Sequence, residues 1–227
     1  MTPVEPSRPE NFWSSLEPPA REALLRGGRV RTFPAGTHLL LQGERPDQVL
    51  IIKSGWAKVA VGDLEGREVV IAVRGPGELV GETGLLNDSP RTATLTALHP
   101  VSALSVTRPR FAAFLNDHPQ AWPLIYRTAS RRLAQSDGRI VALGSLDGAA
   151  RLARLMLALA EESGTPDEGG VRLPPLSQEE LGSCVDASRE TVARALRDWR
   201  QRGLIRTRWR RIVLLDPEGL RKLLGES

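Results

Sequence analysis

The sequence has a single cysteine, Cys184, in 227 residues. That excludes an intrachain disulfide framework, and any zinc or iron–sulfur site that needs several thiolates from one chain. Histidine is almost as scarce. His38, His99 and His118 are scattered, show no metal-ligand spacing, and read as surface or turn residues. No metal is expected. No apolar run approaches the roughly 20 residues that cross a bilayer, so no membrane partner is expected either. Residues 1–11 are rich in proline and polar side chains and lack the basic start and apolar middle of a secretory signal. They read as a flexible tail on a cytoplasmic protein. No nucleophile–base pair or Walker-type phosphate loop is present, so the chain does not read as an enzyme.

What is present supports folded cores. Apolar residues make up 41% and charged residues 26%, the proportions of ordinary globular domains. The net charge is only +4, but it is unevenly placed. Between Ser188 and Arg211 arginines outnumber Glu190 and Asp198 nine to two. Such a block fits either a nucleic-acid face or a solvated helix face.

The first half reads as β-structure. Short apolar segments recur at Arg29–Phe33, Thr37–Leu41, Gln48–Lys53, Ala57–Val61, Glu68–Val73, Thr92–Leu98 and Val101–Val106. Several alternate with polar residues, as half-buried strands do. Turn signals such as Pro34-Ala35-Gly36, Ser54-Gly55 and Gly75-Pro76-Gly77 separate them. Many short strands at this spacing predict an antiparallel barrel or sandwich. Strands and helices do not alternate, which disfavours a parallel nucleotide fold.

Helices take over near Arg108. A short one is expected over Pro109–Asn116 and a long one over Pro119–Leu143. On the long helix Trp122, Tyr126, Ala129, Leu133, Ser136, Ile140 and Leu143 recur at spacings of four and three. Sustained for about three heptads, that is the stripe of a two-helix seam, and a homodimer is expected. Packing on the helix's own domain is the alternative. Asp147 is placed to cap a further helix through Ala160. The polar, glycine-rich stretch Glu162–Gly170 is expected as a surface loop. The boundaries that follow are a first domain over 12–118, a dimerisation helix over 119–145 and a second domain over 147–227.

The second domain holds the informative pattern. Ser177 with Glu180 forms a capping box that starts a helix bearing Leu181, Cys184 and Val185. After a break at Asp186-Ala187, Ser188 caps a second helix with Val192, Ala195, Leu196 and Trp199 on its inner face. Two short helices joined by a tight turn are a helix-turn-helix. Arg189, Glu190 and Arg194 lie opposite the apolar stripe, where base edges are met in a major groove. Arginine can donate twice to guanine, and a glutamate can accept from cytosine. Ser177, Ser188 and Thr191, near helix starts, are placed to hold phosphates. Beyond them, 204–207 and 211–214 read as a hairpin with Arg208, Trp209 and Arg210 at its tip, a basic wing that would grip backbone phosphates. Double-stranded DNA is the expected partner.

The segment from Ser188 to Leu196, reading Ser-Arg-Glu-Thr-Val-Ala-Arg-Ala-Leu, closely resembles the recognition helix of the cyclic AMP receptor protein family, within the larger superfamily of cyclic AMP receptor and fumarate-nitrate regulators. The resemblance runs from about Phe12 onward. It implies an α+β fold with an N-terminal cyclic-nucleotide-binding β-roll, a long dimerisation helix and a C-terminal winged helix-turn-helix. It also implies that Arg189, Glu190 and Arg194 read a TGTGA-like half-site within a palindrome, and that the bound dimer recruits or blocks RNA polymerase. Two positions depart from the family. Asp186 and Trp209 stand where glycine is usual.

A second resemblance covers Gly77–Leu86 and Pro90–Thr94, which are similar to the phosphate-binding cassette of cyclic-nucleotide domains. Arg91 can supply a fixed cation with paired donors for a cyclic phosphate. Backbone amides at Gly81, Thr83 and around Thr92 can add to an anion nest. Glu82 can accept from a ribose hydroxyl, and Thr92 offers its own hydroxyl. An ion pair between Glu82 and Arg91 in an empty loop is the alternative. By resemblance, Ser136 and Asp137 meet the base. The carboxylate of Asp137 replaces a hydroxyl residue, and it can accept one proton from adenine or two from guanine. Cyclic AMP is the expected effector and cyclic GMP the alternative. Other classes remain open: a ligand-independent regulator, a haem or redox sensor of the same fold, and a cyclic-nucleotide-regulated interaction module.

Overall fold

The computed structural model describes residues 11–62, 68–208 and 211–225. The expected tail, apart from Asn11, and the wing-tip residues Trp209 and Arg210 lie outside the described residues. The chain divides into two compact units between Asp137 and Gly138, inside the long helix.

The first unit opens with α1 (Phe12–Ser15) and α2 (Pro18–Gly27), followed by β1 (Arg29–Phe33), β2 (His38–Leu40), β3 (Gln48–Ser54), β4 (Ala57–Gly62), β5 (Glu68–Arg74) and β6 (Leu79–Val80). Then come α3 (Glu82–Leu86), β7 (Thr94–Ala97), β8 (Val101–Thr107), α4 (Arg108–Asp117) and the long α5 (Ala121–Ser145). The strands form two antiparallel four-stranded sheets, ordered β1-β8-β3-β6 and β2-β7-β4-β5. One core lies between the sheets and gathers Leu50, Ile52, Leu95 and Ala103. The other places Val49, Ile51 and Leu104 against Leu24, Phe111 and Ile125 of the helices. Side chains alternate across a strand, so β3 needs apolar residues at four consecutive positions, Val49 to Ile52. All four are fully buried.

Two helices precede the sheets that strand periodicity did not reveal. Their signals are local. Asn11 and Ser14 form a capping box, Pro18 sits in the first turn of α2, and Leu16, Ala20 and Leu24 recur every four residues on the buried side.

The second unit contains α6 (Gly148–Ser163), β9 (Thr165–Asp167), β10 (Gly170–Arg172), α7 (Gln178–Val185), α8 (Arg189–Gln201), β11 (Ile205–Arg208), β12 (Arg211–Leu214) and α9 (Pro217–Lys222). The expected caps are made. Asp147 accepts from Ala150 N at 2.8 Å, and Ser177 and Glu180 bond reciprocally at 2.7 and 3.1 Å. Ser188 accepts from Thr191 N at 3.1 Å. One expectation fails. The segment Glu162–Gly170 is not a plain loop. It holds β9 and the turn into β10, which pairs with β12 to make a four-stranded sheet ordered β11-β12-β10-β9. Backbone hydrogen bonding to the edge of the wing drives this, and polar side chains give no hint of it. Gly170 is required there, because a Cβ would sit 2.1 Å from Leu214 O. Pro166, which lacks an N–H, is accommodated on the outermost strand.

The turn between α7 and α8 passes through Asp186 in the left-handed region, with φ 49° and ψ 55°. A non-glycine residue there is strained by about 1–2 kcal/mol. Arg151 of α6 holds the turn. Its guanidinium donates to Val185 O at 2.6 Å, Leu146 O at 2.7 Å and Asp186 O at 2.7 Å. Three charge-assisted bonds from one side chain satisfy carbonyls at the ends of two helices. Arg151→Ala is expected to cost about 1–3 kcal/mol locally. Hydrogen exchange of the amides from Gly182 to Val192 should then speed up tenfold or more, and unchanged exchange would remove Arg151 from this role.

Candidate effector pocket and DNA-reading surface

In the first unit the cassette wraps around Gly81. This residue has φ 82°, and an added Cβ would meet Arg91 Nη1 at 2.5 Å and Leu40 Cδ1 at 2.9 Å. Glycine therefore lets the Arg91 side chain pass beneath the loop. Glu82 and Arg91 are each only 5% exposed, an unusual depth for charged groups. They do not bond each other. Arg91 donates from Nη1 to Gly81 O at 2.7 Å and from Nη2 to Gln48 O at 2.6 Å. Asp47, a surface residue, lies 3.7 Å away. Burial pulls the Arg91 pKa below its usual value, opposed by the charges of Asp47, Glu44 and Glu82. Neutral carbonyls orient its positive charge without cancelling it, so an anion brought within reach would be favoured.

Glu82 has a different partner, one that the motif did not reveal. Arg132 of α5 donates to Glu82 Oε1 at 2.7 Å, to Leu79 O at 2.8 Å and to Glu78 Oε2 at 3.3 Å. Glu78 in turn accepts from Gly75 N at 3.1 Å. The Arg132 ion pairs fasten the first part of α5 to the cassette. Its presence was signalled only as one arginine among several on that helix, 50 residues from Glu82 in sequence. The second carboxylate oxygen, Glu82 Oε2, is buried and has no hydrogen-bond partner. Arg132 Nε is in the same state. A buried acceptor without a donor is costly, and a ribose hydroxyl reaching Oε2 would supply one. The residues present therefore fit a cyclic nucleotide: an orphaned acceptor for the sugar and an oriented buried cation for the phosphate. Thr83 and Thr92 are exposed on the rim, and Gly81 is half-buried.

Ser136 and Asp137 are exposed on α5. So are all the other residues of the expected seam. Trp122, Tyr126, Leu133, Ile140 and Leu143 are 47–74% exposed in the single chain, and Ala129 is exposed as well. The alternative, that the stripe packs on its own domain, is not what these residues do. The buried side of α5 is made by others, Ala121, Leu124 and Ile125.

In the second unit, α8 buries Val192, Ala195, Leu196 and Trp199. Arg189, Glu190 and Arg194 stand exposed on its opposite side. They do not form the ion-pair lattice of a self-satisfied helix face. The described ion pair on this helix is Arg202–Asp198, at its far end. Thr191 Oγ1 and Ser188 Oγ lie 3.0 Å apart. Ser177 spends its side-chain oxygen on a cap, which leaves its hydroxyl proton available to an acceptor. Ser188 caps Thr191 N and shares a hydroxyl–hydroxyl bond with Thr191, so the pair offers one free proton between them. Arg208 is exposed at the end of β11, in register with Arg211. Among the described residues no helix is long and apolar enough to cross a membrane, and no group of acidic, histidine or cysteine side chains could hold a metal ion.

Comparison with known proteins matches both units. Residues 30–118 fit a cyclic nucleotide-binding domain and residues 150–223 a Crp-like helix-turn-helix domain. The CRP-like cAMP-activated global transcriptional regulator of Mycobacterium tuberculosis is 33% identical over 210 residues, covering 92% of this chain and 94% of the relative. The cyclic AMP receptor protein of Thermus thermophilus is 28% identical over 195 residues, covering 86% and 88%. Among solved structures, the c-di-GMP responsive global regulator CLP of Xanthomonas campestris superposes with a TM-score of 0.72 at 25% identity, covering 87% of this chain and 99% of that one.

Proposed function

The chain belongs to the CRP-like family of DNA-binding transcription regulators, and from that premise we propose that it is a homodimer whose hold on a TGTGA-like palindrome is set by a cyclic nucleotide, cyclic AMP first. The observation that carries the effector half is the buried, unpartnered Glu82 Oε2 within the cassette that also contains Arg91. A cyclic nucleotide supplies a ribose hydroxyl and a single negative charge on its phosphate. Glu82 accepts from the former through Oε2 while its Oε1 stays on Arg132. Arg91, held by Gly81 O and Gln48 O, faces the latter, with Thr83 and Thr92 at the rim. Arg132 carries the state of Glu82 to α5, where Ser136 and Asp137 meet the base. One relative named as cAMP-activated and another named as a cyclic AMP receptor protein support that choice of effector.

Cyclic GMP is the second reading, and Asp137 favours it. A carboxylate can accept from both N1–H and the amino group of guanine, and from adenine it takes one proton. The CLP likeness shows that a similar fold serves another guanine-based effector in a different protein.

The exposed stripe from Trp122 to Leu143 supports the dimer. Five large apolar side chains on one helix form a patch that isolated soluble chains rarely leave open. A two-fold dimer presents two α8 helices to successive major grooves, about 34 Å apart. Arg189 and Arg194 pair with guanines, and Glu190 accepts from a cytosine amino group. Ser177, Ser188, Thr191 and Arg208 hold phosphates, and so does Arg210, which lies outside the described residues. An effector acts only through its preference for the DNA-competent state. Such a dimer, working in the cytoplasm, recruits or blocks RNA polymerase at the promoter.

Titration of cyclic AMP, cyclic GMP, c-di-GMP or buffer against a labelled TGTGA palindrome tests the reading. Cyclic AMP should tighten the complex, and Arg91→Ala should abolish that response while leaving basal DNA binding intact. Tightening by cyclic GMP alone would select the second reading, and an identical response in Arg91→Ala would reject the pocket. Arg189→Ala should lose about 1–3 kcal/mol of discrimination at one guanine. Equal losses on operator and random duplex would show that Arg189 grips phosphate and does not read a base.

A further inference from the structure

The wing sheet carries a charge cluster that base reading by α8 does not use. Asp167, on the outermost strand β9, has a side chain only 8% exposed. Around it stand Arg172 of β10, Arg206 of β11 and Arg211 of β12. Asp167 Oδ2 accepts from Arg211 Nη2 at 2.5 Å and lies 3.9 Å from Arg172 Nε. Oδ1 accepts from Glu168 N at 2.8 Å and lies 3.6 Å from Arg206 Nη2. Two further bonds hold the arginines. Arg206 donates to Glu168 O at 2.7 Å and Arg172 to Thr165 Oγ1 at 3.2 Å. The hydrogen bond from Arg211 is the main reason that the Asp167 carboxyl sits below the usual carboxylate range. It is therefore charged throughout the neutral range.

The arrangement is unequal in charge. One carboxylate collects three guanidinium groups from three neighbouring strands, so two positive charges remain. The three arginine side chains are still 40–45% exposed, and a guanidinium has five donors, of which the bonds above use only a part. Arg211 also lies in register with Arg208, at the end of the hairpin expected to track the DNA backbone. An arginine that is already paired with a carboxylate adds less to phosphate binding than an unpaired one, because less charge is left to displace condensed counterions.

We propose that Asp167 is an internal counter-ion for the wing: it pre-assembles Arg172, Arg206 and Arg211 as a phosphate-gripping cluster, and by cancelling part of their charge it restrains binding to non-cognate DNA. The inference rests on the DNA-binding reading and adds a specificity-determining residue to it. Base contacts from α8 discriminate between sequences, whereas phosphate contacts do not. Restraining the phosphate grip therefore widens the gap between operator and random DNA. The exposed donors of the cluster face a duplex phosphate in the bound state, and Asp167 keeps the three side chains from spreading.

Fluorescence anisotropy of the full chain on a palindromic operator and on a random duplex of equal length, from 0.05 to 0.4 M salt, tests this. Asp167→Asn should steepen the dependence of log affinity on log salt by about one and tighten random-duplex binding by roughly tenfold at 0.1 M salt. The operator-to-random ratio should fall. Asp167→Ser, which removes the charge but leaves a hydroxyl acceptor, should behave alike. Adding Arg211→Gln to Asp167→Asn should return the slope to that of the wild type. An unchanged slope in both single variants, or weaker binding to both duplexes, overturns the counter-ion role and leaves Asp167 a purely structural residue. Wild-type protein that binds neither duplex overturns the DNA-binding premise, and the inference with it.

Discussion

An apolar helix face without a cover is the constraint from which the rest follows. Along α5 the residues Trp122, Tyr126, Leu133, Ile140 and Leu143 face water in the single chain, while Ala121, Leu124 and Ile125 of the same helix are buried in the first unit. Fully covering one large apolar side chain is worth about 1.5–3 kcal/mol, so the open face favours a partner bearing the same face. A two-fold seam would put a helix fastened to a nucleotide cassette in contact with its own copy. Arg132 supplies the fastening, since it leaves α5 and ends on Glu82, Glu78 and Leu79 O. Effector control, as proposed, depends on that short connection between a buried carboxylate and the helix of the seam.

Arginine is used in two opposed ways. Arg91, Arg132 and Arg151 are drawn inward, and their fork of donors organises backbone carbonyls and carboxylates. Lysine could not replace them, because a point charge cannot satisfy several diverging acceptors. Arg189, Arg194 and Arg208 are held outward, where, in the proposed function, the same fork meets guanine edges and phosphates. The cluster around Asp167 lies between these two uses, ordered by the protein yet still half open to water. Composition gives only the total of arginines, and the fold decides which of them are structural.

Much of the architecture was legible in the sequence because its signals are local. β3 and β8 appear where apolar segments bounded by turns predicted them. The caps at Asp147, Ser177 and Ser188 form as their spacing implied, and the inner face of α8 is buried as its period required. What escaped was made by tertiary pairing. β9 and the start of β10 lie in a polar, glycine-rich stretch, and they become strands because β12 offers an edge to β10 and β10 offers one to β9. β6 spans two residues and exists through its pairing with β3. The left-handed turn was marked by Asp186 where glycine is usual, but the clamp that supports it comes from Arg151, 35 residues away. In the pocket, Glu82 and Arg91 could be named from the motif. That they take separate partners, and that one partner is Arg132, is a consequence of how α5 packs on the cassette.

The proposed two-fold presentation of α8 makes a geometric demand on DNA, and a spacing scan measures it directly. In the presence of cyclic AMP, affinity is measured for duplexes whose two TGTGA half-sites are separated in single-base-pair steps. A dimer with both helices engaged predicts a maximum at about one helical turn, 10–10.5 base pairs between centres. Adding about five base pairs, which turns one half-site to the opposite side of the duplex, should cut affinity tenfold or more. Equal affinity at every separation would contradict the account, because it would mean that the recognition helices bind independently.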